Sequence, residues 1–390
     1  MAIVAIDFGS THCKAGLFAP DGTALKIASR PTPTHRAPAG WAYLDPGEIQ
    51  GVFSEVLREV VAGFDGKLSG VGIASMAETG VLVDRRSGAT VSPLLPWFEP
   101  ASQAYAARVA GLTDAFHAYQ KFGIQINFKS PLSKILWWRE AHAADLNHLV
   151  WLSAADYLAA WLTGQFHTDY SLAGRTGCFR VDRKAWDEEW LQVWDLPVAL
   201  FPPAVASGSV VGETVRADCG LPLGIPVAIC GHDHLCAAAG MGAVAPGVVF
   251  DSMGTAEVMI GALPERPLTR QDYENGLLYG CHVVPGMGYW MGSLSASGGS
   301  VEWLRGLLGV QSLNYAALQG LVESADPGPT GILYFPYLLG SGAPHADPNA
   351  RAALVGLEAR HRAPDLAKAV LEGAAYEMEI IRRAGERMLG

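Results

Sequence analysis

Asp7-Phe8-Gly9-Ser10-Thr11 and Asp251-Ser252-Met253-Gly254-Thr255 are two versions of one phrase: an aspartate, then a glycine followed by a hydroxyl residue, set between short apolar runs. Ile3–Ile6 and Cys13–Phe18 read as strands on either side of the first, and Val248–Phe250 and Val258–Ile260 on either side of the second. A single copy is only a good turn. Two copies, each opening a run of strands that leads into helices, point to a duplicated architecture. The spacing predicts two α/β domains, residues 1–244 and 245–390. A tight Gly/Ser/Thr turn also offers backbone N–H groups and hydroxyls with no side-chain wall, which is what a phosphate group needs.

Outward from the first turn, Ala24–Ala28 reads as a third strand after the hairpin signal Pro20-Asp21-Gly22. Asp45-Pro46-Gly47-Glu48 supplies an N-cap, a first-turn proline and an acid for a helix whose apolar residues run from Ile49 to Val61. Val71–Ala74 and Val81–Val83 read as strands, and residues 101–195 as mainly helical. Pro202–Gly224 is a Pro/Gly-rich excursion before the buried-strand pattern Ile225–Cys230, with a helix over Leu235–Gly242. In the second domain, Leu278–Val284 and Tyr289–Met291 continue the meander, and Pro364–Met388 is one amphipathic helix.

A chain of 390 residues, half of them hydrophobic and 17% charged, is globular rather than disordered. With 28 basic and 38 acidic residues the formal charge is −10, and no Lys/Arg run exists, so nothing reads as a nucleic-acid footprint. An anionic ligand must therefore be held by local devices. Six cysteines lack Cys-x-x-Cys spacing, no run of about 18 apolar residues suggests a membrane span, and the first apolar run stops at Asp7. A reduced, cytoplasmic protein without a signal peptide is expected.

Gly231-His232-Asp233-His234 places a carboxylate where a strand passes into a helix, the position at which open α/β sheets bind ligands. Asp233 there could take a proton from a substrate hydroxyl. A metal site is the rival reading of His-Asp-His, although neighbours on a strand point to opposite faces. Asp7, at the end of its strand, suits Mg²⁺, and Lys14 suits phosphate charge. Gly240-x-Gly242-x-x-Ala245 follows a helical run rather than a strand and is discounted as a dinucleotide fingerprint.

In this order the residues resemble the FGGY carbohydrate kinases, over essentially the whole chain. Asp7–Thr11 and Ser252–Thr255 match that family's two phosphate motifs, and Gly231-His232-Asp233 the strand bearing its catalytic aspartate. Gly40 to Pro46, Asp156-Tyr157 with Thr163-Gly164, Gly298 to Trp303, and Tyr334–Leu338 with Gly340 and Pro344-His345 match further family elements. The resemblance implies duplicated actin-like (ribonuclease H-like) α/β domains facing each other across a cleft. It implies ATP-dependent phosphorylation of a sugar, such as a pentulose, or of a polyol, with Asp233 as base and Asp7 and Asp233 at Mg²⁺. Gly9, Ser10, Thr11, Lys14, Gly254, Thr255, Gly298 and Glu302 would serve the nucleotide. Met76, Glu78, Trp97, Glu99 and His234 would join Asp233 around the sugar. It also carries an expectation of a homodimer.

Departures from the xylulokinase-like pattern narrow the substrate. Gln-Met-His becomes Met76-Ala77-Glu78, and Trp-x-Asp-x-Arg becomes Trp97-Phe98-Glu99-Pro100-Ala101, with the arginine lost. The arginine before the Thr-Pro-His element is also lost, to Ser341-Gly342-Ala343. A changed polar set changes which hydroxyls are satisfied, so ordinary xylulose is not the expected substrate. Met76 and Trp97 have a plainer reading as core residues. Family members continue past the Pro364–Met388 helix, so the resemblance implies an incomplete second domain and weakened adenine binding. Two alternatives stay open: a relative that binds sugar without turnover, and a metal-dependent hydrolase built on His232-Asp233-His234.

Overall fold

The computed structural model describes residues 1–308 and 313–389. The chain divides into two compact units. One is Met1–Gly240 with Glu265–Pro267 and Gly280–Gly288; the other is Met241–Pro264, Leu268–Tyr279 and Tyr289–Gly390.

The first unit is built on a six-stranded sheet. Its strands are β1 (Ala2–Phe8), β2 (His12–Phe18), β3 (Ala24–Pro31), β4 (Leu68–Ser75), β5 (Val210–Glu213) and β6 (Pro226–His232), in the order β5-β6-β4-β1-β2-β3. Strands β1, β2 and β3 are antiparallel neighbours, whereas β1, β4 and β6 run parallel. Along β1 the residues alternate: Ala2, Val4, Ile6 and Phe8 are buried, and Asp7 lies on the opposite face. Helix α1 (Pro46–Val61) starts where Asp45 caps the Glu48 N–H at 3.0 Å. It buries Ile49, Phe53, Val56, Leu57 and Val60 against β2 and β3. Each such side chain contributes about 1.5–3 kcal/mol, and Phe53→Ala would cost about 3–5 kcal/mol. Helix α2 (Pro131–His142) carries Lys134, and helix α3 (Ala154–Thr163) packs on β4 and β6 behind a Ser153–Asp156 capping box. Helix α4 (Asp233–Gly240) leaves the end of β6 directly.

The two longest strands that depart from the sequence expectation lie in the segments read as helical and as a Pro/Gly-rich excursion. Leu149–Ser153, inside the segment read as helical, is a strand paired antiparallel with Gly80–Asp84. Its apolar run continues straight into α3, so periodicity does not separate them. Strand β5 lies within the Pro/Gly-rich excursion as an edge strand, a position that tolerates such residues.

In the second unit, β7 (Val249–Met253), β8 (Glu257–Pro264), β9 (Leu278–Cys281) and β10 (Met287–Leu294) form a sheet of order β7-β8-β10-β9. Asp251, Ser252 and Met253 belong to β7 rather than to the turn; the turn itself is Gly254-Thr255-Ala256. Helix α5 (Gly298–Leu307) and the terminal helix α6 (Ala363–Leu389) cover a small core of Leu304, Leu318, Tyr334, Ala367 and Val370. In α6 the buried residues Ala367, Val370, Gly373, Met378, Ile381, Ala384 and Met388, with Ala369 and Gly385 beside them, form one helical stripe.

Candidate active site

Three parallel strands end together. Asp7 stands opposite Ala74 and Phe8 opposite Ser75, while on the other side of β4 Gly231 stands opposite Ala74 and His232 opposite Ser75. Asp233 follows as the first residue of α4. Asp7 and Asp233 therefore flank one strand, roughly 10 Å apart at two strand spacings. Ligands of open α/β sheets bind at such carboxyl ends.

Burial pushes the Asp233 carboxyl up from its usual value. The charge and backbone N–H of His234 oppose that rise, and the Asp7 and Glu78 charges reinforce it. The His234 N–H donates to Asp233 Oδ1 at 2.7 Å. His232 Nε2 is 3.3 Å from that same oxygen, while burial drives the imidazole pKa well below its usual value, so the ring is neutral. The strand end that precedes Asp233 rests on a polar network: His232 N–H donates to Ser171 Oγ, and Asp169 Oδ2 accepts from the Ser171 and Ser207 hydroxyls. Gly231, at φ 115°, is required here, because a Cβ would meet Ser171 Oγ at 2.4 Å and Asp169 Oδ2 at 2.8 Å.

In the first hairpin the Thr32 hydroxyl donates to the Gly9 carbonyl and the Thr32 N–H to that of Thr11. Among the described residues no protein acceptor takes the N–H groups of Ser10 and Thr11, which leaves two donors for an anion. Lys14 Nζ lies 3.5 Å from Asp7, with both side chains about half exposed. In the second hairpin the carbonyls of Gly254 and Thr255 accept from the N–H groups of Gly298 and Gly299, each at 3.0 Å. A Cβ on Gly298 would come within 2.4 Å of the Gly254 oxygen, so glycine lets α5 start against the turn. Burial, the Glu257 charge and a hydrogen bond shared with it push Asp251 up to about 6. Glu302 is bonded to Arg305 and Tyr315 on the exposed side of α5.

The residues expected around a sugar fall into one neighbourhood of the first unit. Met76 is buried and its N–H donates to the Phe8 carbonyl. Trp97 lies under the Lys129 ammonium, 5.1 Å from the ring centre. Glu99 is buried with one oxygen on the Ala42 N–H and the other on that of Ala101. Glu78 has φ 64° and receives Arg175 Nε and Nη2 on the single oxygen Oε1, at 3.1 and 2.6 Å. Burial would raise the Glu78 carboxyl, but Arg175, with Lys129 and Lys134, outweighs it and holds the group below its usual value.

Lys134, Arg175, Asp169 and Ser171 were not found from the sequence. Lys134 is 2% exposed and donates to the carbonyls of Glu78, Leu95 and Pro96, which ties together the two loops that carry Glu78 and Trp97. Burial pulls its pKa down to about 7 against the upward pull of Glu78 and Glu99. Arg175 meets Glu78 across 97 positions of chain, a separation no local pattern reveals.

Residues 2–240 match the FGGY family of carbohydrate kinases, N-terminal domain, and residues 250–387 match the C-terminal domain of the same family. The chain belongs to the FGGY family. It is similar to a glycerol kinase of Thermus brockianus, with 32% identity over 96% of this chain and 77% of the relative. It is also similar to a xylulose kinase of Bacillus subtilis, with 27% identity over 98% of this chain and 78% of the relative. The solved xylulose kinase from Rhodospirillum rubrum matches with a TM-score of 0.90 and 25% identity, covering 100% of this chain and 80% of that one. A gluconate kinase from Lactobacillus acidophilus matches with a TM-score of 0.89 and 20% identity, covering 98% and 78%. This FGGY member is a carbohydrate kinase with the duplicated actin-like (ribonuclease H-like) α/β fold. Among the described residues no helix is long and apolar enough to cross a membrane, and no group of three or more His, Cys, Asp or Glu is placed to hold a metal.

Proposed function

We propose that this FGGY kinase transfers the γ-phosphoryl group of ATP to a hydroxyl of a small sugar or polyol, with Asp233 as the general base. The observation that carries the reading is the placement of Asp233 and Asp7 on either side of β4, at the open end of the sheet. Asp233 accepts the hydroxyl proton as the new O–P bond forms; the bond from the γ-phosphorus to the bridging oxygen breaks, and ADP leaves. Burial favours this role, because a carboxylate with a raised pKa is a stronger base.

In the first unit the phosphates would lie on the N–H groups of Ser10 and Thr11. The donor set fits Mg²⁺: Asp7 is half exposed at a strand end, Asp233 lies beyond the next strand, and Mg²⁺ takes one or two carboxylates before phosphate and water. Bound there, the ion would neutralise charge on the phosphates. Met76, Glu78, Trp97 and Glu99 would form the sugar side of the site. Glycerol, xylulose and gluconate, the substrates in the relatives' names, make the first panel.

The test is ATP-dependent formation of a phosphorylated product from each of the three, followed by Asp233→Asn. We expect a rate loss of about 10²–10⁴-fold with sugar binding retained in calorimetry. Turnover by Asp233→Asn at the wild-type rate would remove the base assignment, and phosphate release without a sugar phosphate would indicate a hydrolase.

A further inference from the structure

The pocket that lost its arginine in sequence regains one in space. We infer that Arg175 is a positioning residue that sets carbohydrate specificity by locking Glu78, so that one carboxylate oxygen is presented to a substrate hydroxyl. This inference rests on the reading of the first unit as the sugar-binding side of a kinase.

Three independent constraints converge on Glu78. Its backbone is in the left-handed region at φ 64°, which a residue with a Cβ adopts only when its surroundings impose it, and such positions gather at functional sites. Lys134 holds its carbonyl at 2.6 Å. Arg175 grips its carboxylate through two N–H groups, in an ion pair whose side chains are 8% and 12% exposed.

The grip is one-sided. Both Arg175 donors go to Oε1, and among the described residues no protein group donates to Oε2. An ionised carboxylate only accepts hydrogen bonds, so the ligand that satisfies Oε2 must be a donor, as a sugar or polyol hydroxyl is. The Glu78 charge also acts on Asp233, which puts the two carboxylates in one electrostatic neighbourhood. Arg175 reaches the same place, since its charge acts on His232. A fixed Oε2 accepts a hydroxyl in one position only. A mobile one would accept several and discriminate less.

The experiment compares Arg175→Gln, Arg175→Lys and Glu78→Gln with the wild type on glycerol, xylulose and gluconate. Removing one arm of a buried charge-assisted pair should raise the KM for the preferred carbohydrate about 10–100-fold. The KM for ATP should stay within about twofold, and the spread of kcat/KM across the three substrates should narrow. Arg175→Lys keeps the charge without the fork, so it should restore part of the affinity and less of the discrimination. If Arg175→Gln does not fold because Glu78 is left buried and unpaired, Arg175→Gln/Glu78→Gln removes both charges, and its carbohydrate KM should match that of Glu78→Gln. An unchanged carbohydrate KM, or equal rises in the KM for carbohydrate and ATP, overturns the inference. Inactive Asp233→Asn beside unchanged Arg175→Gln overturns the positioning role alone. A wild type that phosphorylates none of the three overturns the functional reading, and this inference with it.

Discussion

Trp97 donates its indole N–H to the Ser10 hydroxyl at 2.7 Å, and that hydroxyl lies 3.4 Å from the Met76 sulfur. The first hairpin is thus tied directly to the wall of the candidate sugar pocket. Met76 belongs to the buried core and Trp97 packs against it, and both also bear on the hydroxyl of the first hairpin. Trp97→Phe keeps the ring and removes the N–H, a loss of about 1 kcal/mol, or roughly fivefold. We expect that loss in both kcat and the KM for ATP, read by steady-state kinetics with each substrate varied in turn. An effect confined to the KM for carbohydrate would mean that the indole serves the pocket and not the turn.

Gly231→Ala should be among the most destabilising single changes in the first unit. The new methyl would collide with Ser171 and Asp169 while the backbone stays at φ 115°. A loss of about 2–4 kcal/mol is expected, seen as a lower urea midpoint with an unchanged slope. A midpoint equal to the wild type would show that the strand end relaxes around the methyl.

Lys134 gives a pH signature. With its pKa near 7 in the folded state against the ordinary 10.5, the native protein holds fewer protons than the unfolded chain across that window. Its contribution to stability therefore rises with pH between about 7 and 10.5. Relative to Lys134→Met, the wild type should gain thermal stability from pH 7 to pH 9.5, because the other groups cancel in the difference. Parallel curves for the two proteins would refute a depressed lysine.

Asp251 should behave in the opposite way. Raised to about 6 by burial and by Glu257, it gives the folded state an extra proton above the usual 3.8. The matching stability is present at low pH and is lost as pH rises through about 6. Glu257→Gln removes the repulsion, so its advantage over the wild type in denaturant midpoint should grow from pH 5 to pH 7.5. No change with pH would mean that the two carboxyls do not share a proton.

Residues that sit where an apolar run stops were readable in advance. Asp7 and Asp233 each follow a strand pattern, and the capped start of α1 at Asp45-Pro46 follows from local chemistry alone. What escaped was the set of residues whose role depends on distant contacts. Lys134 sits in a helix that reads like any other, yet its ammonium ends on carbonyls 38 to 56 positions away. Asp169 looks like a helix cap and is one, but its second oxygen also holds Ser207. Glu99 also holds the backbone N–H groups of Ala42 and Ala101, one on each oxygen, a tie that its place after Trp97 does not announce. Local patterns report caps and strand ends, whereas a buried ion pair forms only once the fold has brought its halves together.

The missing side chain at Gly231 also bears on how this protein could change over time. Asp169, Ser171 and Gly231 occupy one volume, so a larger residue at position 231 needs a smaller or differently shaped partner at 169 or 171 in the same step. A library that varies position 231 alone should return almost only glycine, while one that varies all three together should recover rarer combinations. The approach to the candidate base is therefore inherited as a set of three.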